Sequence, residues 1–158
     1  MAKGITVGIV LLAVTMGMAA CSGGAGTQPV KATWITAPPT ADGIFLSAND
    51  VKGHPITHFR AGSSANMSFM AYELDGKTYI RANICPPCRS TGFSLQGDVL
   101  VCDTCGTRFS AGTGDGVSGA CVDYPKAAAP FEVKDGKILI KGNDLTLAYQ
   151  NTLKPGRP

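Results

Sequence analysis

The feature that most constrains this chain is a pair of C-x2-C motifs, Cys85-Pro86-Pro87-Cys88 and Cys102-Asp103-Thr104-Cys105, with thirteen residues between them. Each motif can curl its two sulfurs toward one point. Two such loops facing each other complete a tetrahedron of soft thiolates, the donor set that selects Zn²⁺ or iron. Gly106 follows the second motif, where a metal-binding knuckle needs a permissive backbone, and Arg89 stands at the same place after the first. Pro87 has no N–H to direct at the first sulfur of its turn, so the second motif is the stronger half.

Other chemistries compete for the same cysteines. In an oxidising compartment the pairs could be disulfides. C-P-P-C also occurs as a thioredoxin-type redox motif, which needs a helix N-terminus to lower a thiol pKa; Arg89-Ser90-Thr91-Gly92-Phe93 does not start a helix. A c-type haem needs His after the second Cys, and Arg89 and Gly106 exclude it. Thiol–disulfide exchange through Cys85 and Cys88 therefore stands as the alternative to a metal centre.

The surrounding sequence predicts a mainly β framework. Gly and Pro make up 30 of 158 residues, which suits short strands and turns and argues against a helical bundle. Met67–Leu74 and Lys77–Ala82 read as strands joined by the Asp75-Gly76 turn. Val99-Leu100-Val101 follows a turn at Gln96-Gly97-Asp98, and Phe131–Lys134, Asp135-Gly136 and Lys137–Ile140 repeat the hairpin pattern. There is no internal repeat and no convincing amphipathic helix, so residues 44–153 are expected to form one small β-sandwich or barrel with two cysteine-bearing metal loops. Lys and Arg number ten in that span against ten Asp and Glu. The balance of zero is a poor basis for nucleic-acid binding.

The remaining polar features carry less. His54 and His58 are four apart, but Pro55 disfavours a helix, and in a strand the two would stand about 13 Å apart; structural or surface roles are expected. Met67 and Met70 point to opposite faces of a strand and read as core. Asp103 and Asp115 lack a partner pattern for acid–base catalysis. Residues 112–116 (Gly-Thr-Gly-Asp-Gly) lack the lysine of a phosphate loop and read as a turn.

The N-terminus has the form of an export signal. Lys3 precedes the apolar run Ile5–Val14, and small residues follow; the run is short for a membrane span. Met18-Ala19-Ala20-Cys21-Ser22 resembles a bacterial lipobox, which implies cleavage after residue 20 and lipidation of Cys21. Acyl chains there would anchor the protein to a membrane, facing the periplasm or the cell exterior. Residues 21–43, beginning with a Gly-rich run and continuing through Pro38-Pro39, are expected to form a flexible tether, and residues 154–158 a disordered tail. Trp34 in the tether could pack on the domain or sit at the lipid headgroups.

The order of loops and strands from Asn83 to Ile140 is similar to the Rieske ferredoxin layout, in which two loops hold a cluster above a β-sandwich. Rieske proteins use one Cys and one His per loop, whereas Pro87 and Cys105 fall at the His positions. The resemblance therefore implies a Rieske-like sandwich without a Rieske cluster. Over residues 44–132 the chain also resembles the membrane iron–sulfur protein family typified by FtrD, through Asp75-Gly76-Lys77, Cys85 and Cys88, Gly92-Phe93, Gly97-Asp98, Cys102-Asp103-Thr104-Cys105-Gly106, Phe109 and Gly119-Ala120-Cys121. That resemblance implies an iron–sulfur cluster on Cys85, Cys88, Cys102 and Cys105, with Cys121 a candidate fifth thiol. It also implies a membrane redox or iron-transport partner. Family members often have Gly before the last Cys and Asn-Pro after it; here Ala120 and Val122-Asp123 stand there. No twin-Arg pair precedes the apolar run, so the chain would cross the membrane unfolded and without a cluster. Zn²⁺ taken up after export is the other candidate occupant. The expected protein is a non-enzymatic metal or electron-transfer module.

Overall fold

Strands form in the computed structural model where β-branched and aromatic residues recur and Gly-containing turns separate them. It describes residue 1, residues 28–61 and residues 66–156. Residues 2–20 of the expected signal segment, Cys21, residues 22–27 of the tether and the last two residues of the tail lie outside the described residues.

The central sheet has the order β1-β3-β4-β5, from β1 (Thr33–Trp34), β3 (Thr57–Ala61), β4 (Met67–Leu74) and β5 (Lys77–Ala82). A second sheet combines β2 (Gly43–Ser47) with the hairpin β10 (Glu132–Lys134) and β11 (Lys137–Lys141). The third is the meander β6 (Phe93–Gln96), β7 (Val99–Cys102), β8 (Arg108–Ser110) and β9 (Gly116–Ser118). Asp75-Gly76 and Asp135-Gly136 carry φ of 51° and 73°, and 51° and 72°. Positive φ at both turn residues is what a tight two-residue hairpin requires, as the sequence predicts.

β4 is the wall between two cores. Its alternation sends Phe69 and Ala71 into a core shared with Ile44, Leu46, Ile138 and Ile140, and sends Met70 and Tyr72 into a second core with Phe93, Leu100, Phe109 and three cysteines. Met67 packs on the first core and Met70 lies in the second, the opposite-face arrangement expected of residues three apart in a strand. Each large side chain so buried contributes roughly 1.5–3 kcal/mol.

Two helices correct the sequence reading. The short α1 (Ala48–Lys52) is capped by the Ser47 side chain, which accepts the Asp50 N–H. The longer α2 (Gly142–Thr152) buries Leu145, Ala148 and Thr152. That face is only three residues wide and one of them is Thr, so its periodicity is weak in sequence. Tertiary contacts stabilise it: Leu145 and Ala148 enter the first core, and the Thr152 hydroxyl accepts the Ala127 N–H at 2.9 Å.

The part of the expected tether that is described lies along the domain. β1 pairs in parallel with β3, and Val30 and Leu95 exchange backbone hydrogen bonds at 2.8 and 3.0 Å. Trp34 packs on the domain, edge-on to His58 at 5.2 Å and beneath the Arg60 guanidinium at 5.1 Å. Among the described residues no helix is long and apolar enough to cross a membrane.

Candidate metal centre

Both C-x2-C motifs fold into the same turn. The Cys85 N–H donates to Ser90 O at 2.8 Å, and the Cys102 N–H donates to Thr107 O at 2.9 Å. The residue after each second cysteine is left-handed, Arg89 at φ 58° and Gly106 at φ 69°. The first motif thus takes the knuckle geometry despite Arg89 and Pro87. No helix follows Cys88; residues 89–92 lead directly into β6.

The two knuckles bring four sulfurs together. Cys88 Sγ lies 3.7 Å from Cys102 Sγ and Cys85 Sγ 4.0 Å from Cys105 Sγ, and all four sulfurs fall within 4.8 Å of one another. The edge of a tetrahedron around one ion with metal–sulfur bonds of about 2.3 Å is about 3.8 Å. The donor set and spacing therefore fit a single thiolate-bound ion as they stand. A two-iron cluster, which four cysteines also hold, would require sulfurs on different irons to stand farther apart. Cys85, Cys88, Cys102, Cys105 and Cys121 are all free thiols.

Cys121 joins the group from a distant segment. Its Sγ is 3.8 Å from Cys105 Sγ, and its backbone N–H donates to Thr107 Oγ1 at 3.2 Å. Gly119 makes this approach possible: it adopts φ 113°, and a Cβ there would lie 2.7 Å from Thr107 Cα. Cys85, Cys102 and Cys121 are buried, whereas Cys105 is exposed, so the centre meets solvent at Cys105.

The environment separates the thiols. Burial pushes Cys85 up, reinforced by Cys88, Cys121 and Cys102 and opposed by Lys126. Burial raises Cys88 as well. At Cys105 burial is outweighed by the Thr107 hydroxyl and backbone, with Cys102 and Cys88, and the thiol falls to about 6. Thr107 Oγ1 accepts the Cys121 N–H and the Cys105 S–H, each at 3.2 Å; once Cys105 ionises, the same hydroxyl donates to the thiolate. A thiolate is the form that binds metal, and Cys105 offers it more readily than Cys85 and Cys88.

Residues other than the cysteines build the frame, and sequence patterns do not mark that role. Asp103, which the sequence leaves without a role, accepts from Ser94 Oγ at 2.6 Å and pairs with Lys31 at 2.8 Å, while its N–H donates to Gly92 O. It ties the second knuckle to the segment after the first. Arg81, 4% exposed, donates to Tyr72 Oη at 3.0 Å, Lys126 O at 2.7 Å and Gly112 O at 2.6 Å. Of the expected turn at residues 112–116, Gly112 and Thr113 are in a turn and Gly116 already opens β9; Arg81 holds the turn through Gly112 O. Lys126 is buried beside the cysteines, its Nζ donating to Ile84 O at 2.8 Å. Burial lowers it to about 8 against the pull of the thiols. His58 is buried in the central sheet, a structural position; His54 Nδ1 meets Asp50 O at 2.9 Å.

Paired ligand loops carried on a mainly β framework of three sheets are the layout of a class, the Rieske-type ferredoxin fold. A chain of the "Complex of reduced oxygenase and oxidized ferredoxin in carbazole 1,9a-dioxygenase" matches with TM-score 0.51 and 23% identity, over 62% of this chain and 93% of that one. The "Ferredoxin of carbazole 1,9a-dioxygenase from Nocardioides aromaticivorans IC177" matches with TM-score 0.50 and 19% identity, over 68% and 98% of the two chains. At these identities the likeness is one of fold. Within that class the chain belongs to the family described as "Membrane iron-sulfur containing protein FtrD-like", which residues 49–151 match. No curated protein matches the chain.

Proposed function

We propose that this protein is an electron-transfer module in which Cys85, Cys88, Cys102 and Cys105 hold iron. The observation that carries the reading is the convergence of four sulfurs from two knuckles within 4.8 Å, in a chain of an iron–sulfur family. Bound iron would supply a one-electron couple; the protein's own part is to hold four thiolates in place and limit water to one side. Cys105 is the exposed ligand, so a redox partner would exchange electrons across that edge.

Location and partnership extend the reading. The Met18–Ser22 segment supports lipidation of Cys21, and the family is described as a membrane one. The module would then work at a bacterial membrane, facing the periplasm or the cell exterior, beside a redox or iron-transport protein. Metabolic labelling with a fatty acid tests this: label is expected on the wild type and absent from Cys21→Ser, and an unlabelled wild type removes the anchor.

Zinc is the second occupant to test, because the sulfur spacing suits it equally. Metal and sulfide analysis with an absorption spectrum on protein from its native compartment separates the cases. Iron with visible charge-transfer bands, lost in Cys85→Ser, is expected. A colourless zinc protein would remove the electron-transfer role, and a metal-free protein with disulfides would remove the metal reading altogether. Thiol–disulfide exchange through Cys85 and Cys88 needs an acidic thiol in that pair, whereas the acidic thiol is Cys105. Turnover of dithiol substrates that is lost in Cys88→Ser would restore that alternative.

A further inference from the structure

Lys126 lies outside both motifs, yet its side chain ends between the two ligand loops. It is 1% exposed. Its backbone is held on both sides, the N–H donating to Gly114 O at 2.8 Å and the carbonyl accepting from Arg81 Nη1 at 2.7 Å. From there the side chain runs inward. Its ammonium donates to the carbonyl of Ile84, the residue before Cys85, and lies 4.4 Å from the Phe109 ring centroid and 5.5 Å from that of Phe93. Phe93 is the cross-strand partner of Cys102, so one contact of the ammonium leads to each knuckle.

Taking an ammonium out of water costs several kcal/mol unless an opposite charge compensates. A carbonyl and two ring faces recover only part of that. The ion pairs found among the described residues, Lys31–Asp103 and Lys52–Glu73, do not include Lys126. The negative charge at hand is the sulfur cluster, where four thiolates exceed the charge of any single di- or trivalent ion they hold. We propose that Lys126 is the internal counter-cation of the four-thiolate centre, stabilising metal retention and raising the reduction potential. This rests on the centre holding redox-active iron. Reduction adds one negative charge there, and a fixed buried cation favours the more negative state.

The test uses iron-loaded, full-length protein with Lys126→Met, which keeps the length of the side chain, and Lys126→Arg, which keeps its charge. Potentiometric titration should show Lys126→Met at a lower midpoint, a fall of about tenfold or more in the reduction equilibrium or about 59 mV for one electron, with Lys126→Arg within about threefold of wild type. A folded Lys126→Met protein that loses iron while Lys126→Arg retains it would also support the proposal. An unchanged midpoint in Lys126→Met overturns it, as does an equal shift in both variants. Loss of iron or of the fold in both overturns it too, and assigns Lys126 to packing. Absence of iron from the wild type is a separate result, which strikes the proposed function itself.

Discussion

Thr107 is fully buried between the second knuckle and Cys121, and its hydroxyl serves both. Thr107→Val would remove the acceptor of the Cys121 N–H at a cost of about 1–3 kcal/mol. It would also take away the group that lowers Cys105, so thiol titration of the metal-free variant should find Cys105 above its value of about 6. The glycines next to it differ in kind. A Cβ on Gly106 meets nothing within 4 Å, and Arg89 already adopts the same conformation in the first knuckle; Gly106→Ala should cost about 1 kcal/mol and keep the metal. Gly119→Ala would drive a Cβ against Thr107 and force Cys121 away, so it should cost more in a denaturation comparison and shift the centre's spectrum. His58 sets a pH dependence. Burial, against Asp103 and Phe93, lowers it from 6.5 to about 4, and its Nε2 has no hydrogen-bond partner. Between those values the unfolded chain binds the extra proton, so stability rises with pH across this window and is lost as pH falls through it. The full difference is about 3 kcal/mol, and His58→Leu should flatten that part of a stability–pH profile.

At the scale of elements, β4 separates the sulfur-bearing core from the core that α2 closes. Leu145 is 1% exposed in the latter. Leu145→Ala should cost about 3 kcal/mol in chemical denaturation while leaving the absorption spectrum of the metal centre unchanged; a shifted spectrum would mean that the two cores are coupled through β4. The hairpins were legible because their turn residues and two-residue alternation are local properties. Met67–Leu74 and Lys77–Ala82 have the bounds expected from sequence. α2 was not legible because its buried face is narrow and depends on what packs over it. β1 was not legible because two residues of strand exist only through pairing with β3.

At the scale of the whole molecule, the metal centre is also a cross-link, joining loops on either side of β6 and β7. Anything bound to the folded state alone stabilises it, by about 2.7 kcal/mol when free ligand is a hundredfold above its dissociation constant. Chelation should therefore lower the thermal midpoint of the wild type, and Cys85→Ser should show no further change. By itself the sequence determined the ligand pattern, its spacing and the turns that present it, because a C-x2-C knuckle and an Asp-Gly hairpin are built from neighbours in the chain. It also held the resemblance to the FtrD-like family in those same residues. Only the tertiary structure decided that Cys121 approaches Cys105, that Thr107 joins them, and that Lys126 ends beside Ile84, 42 residues away in sequence. Burial and charge at such points are set by segments that meet only once the sheets have packed, and no local pattern records the meeting.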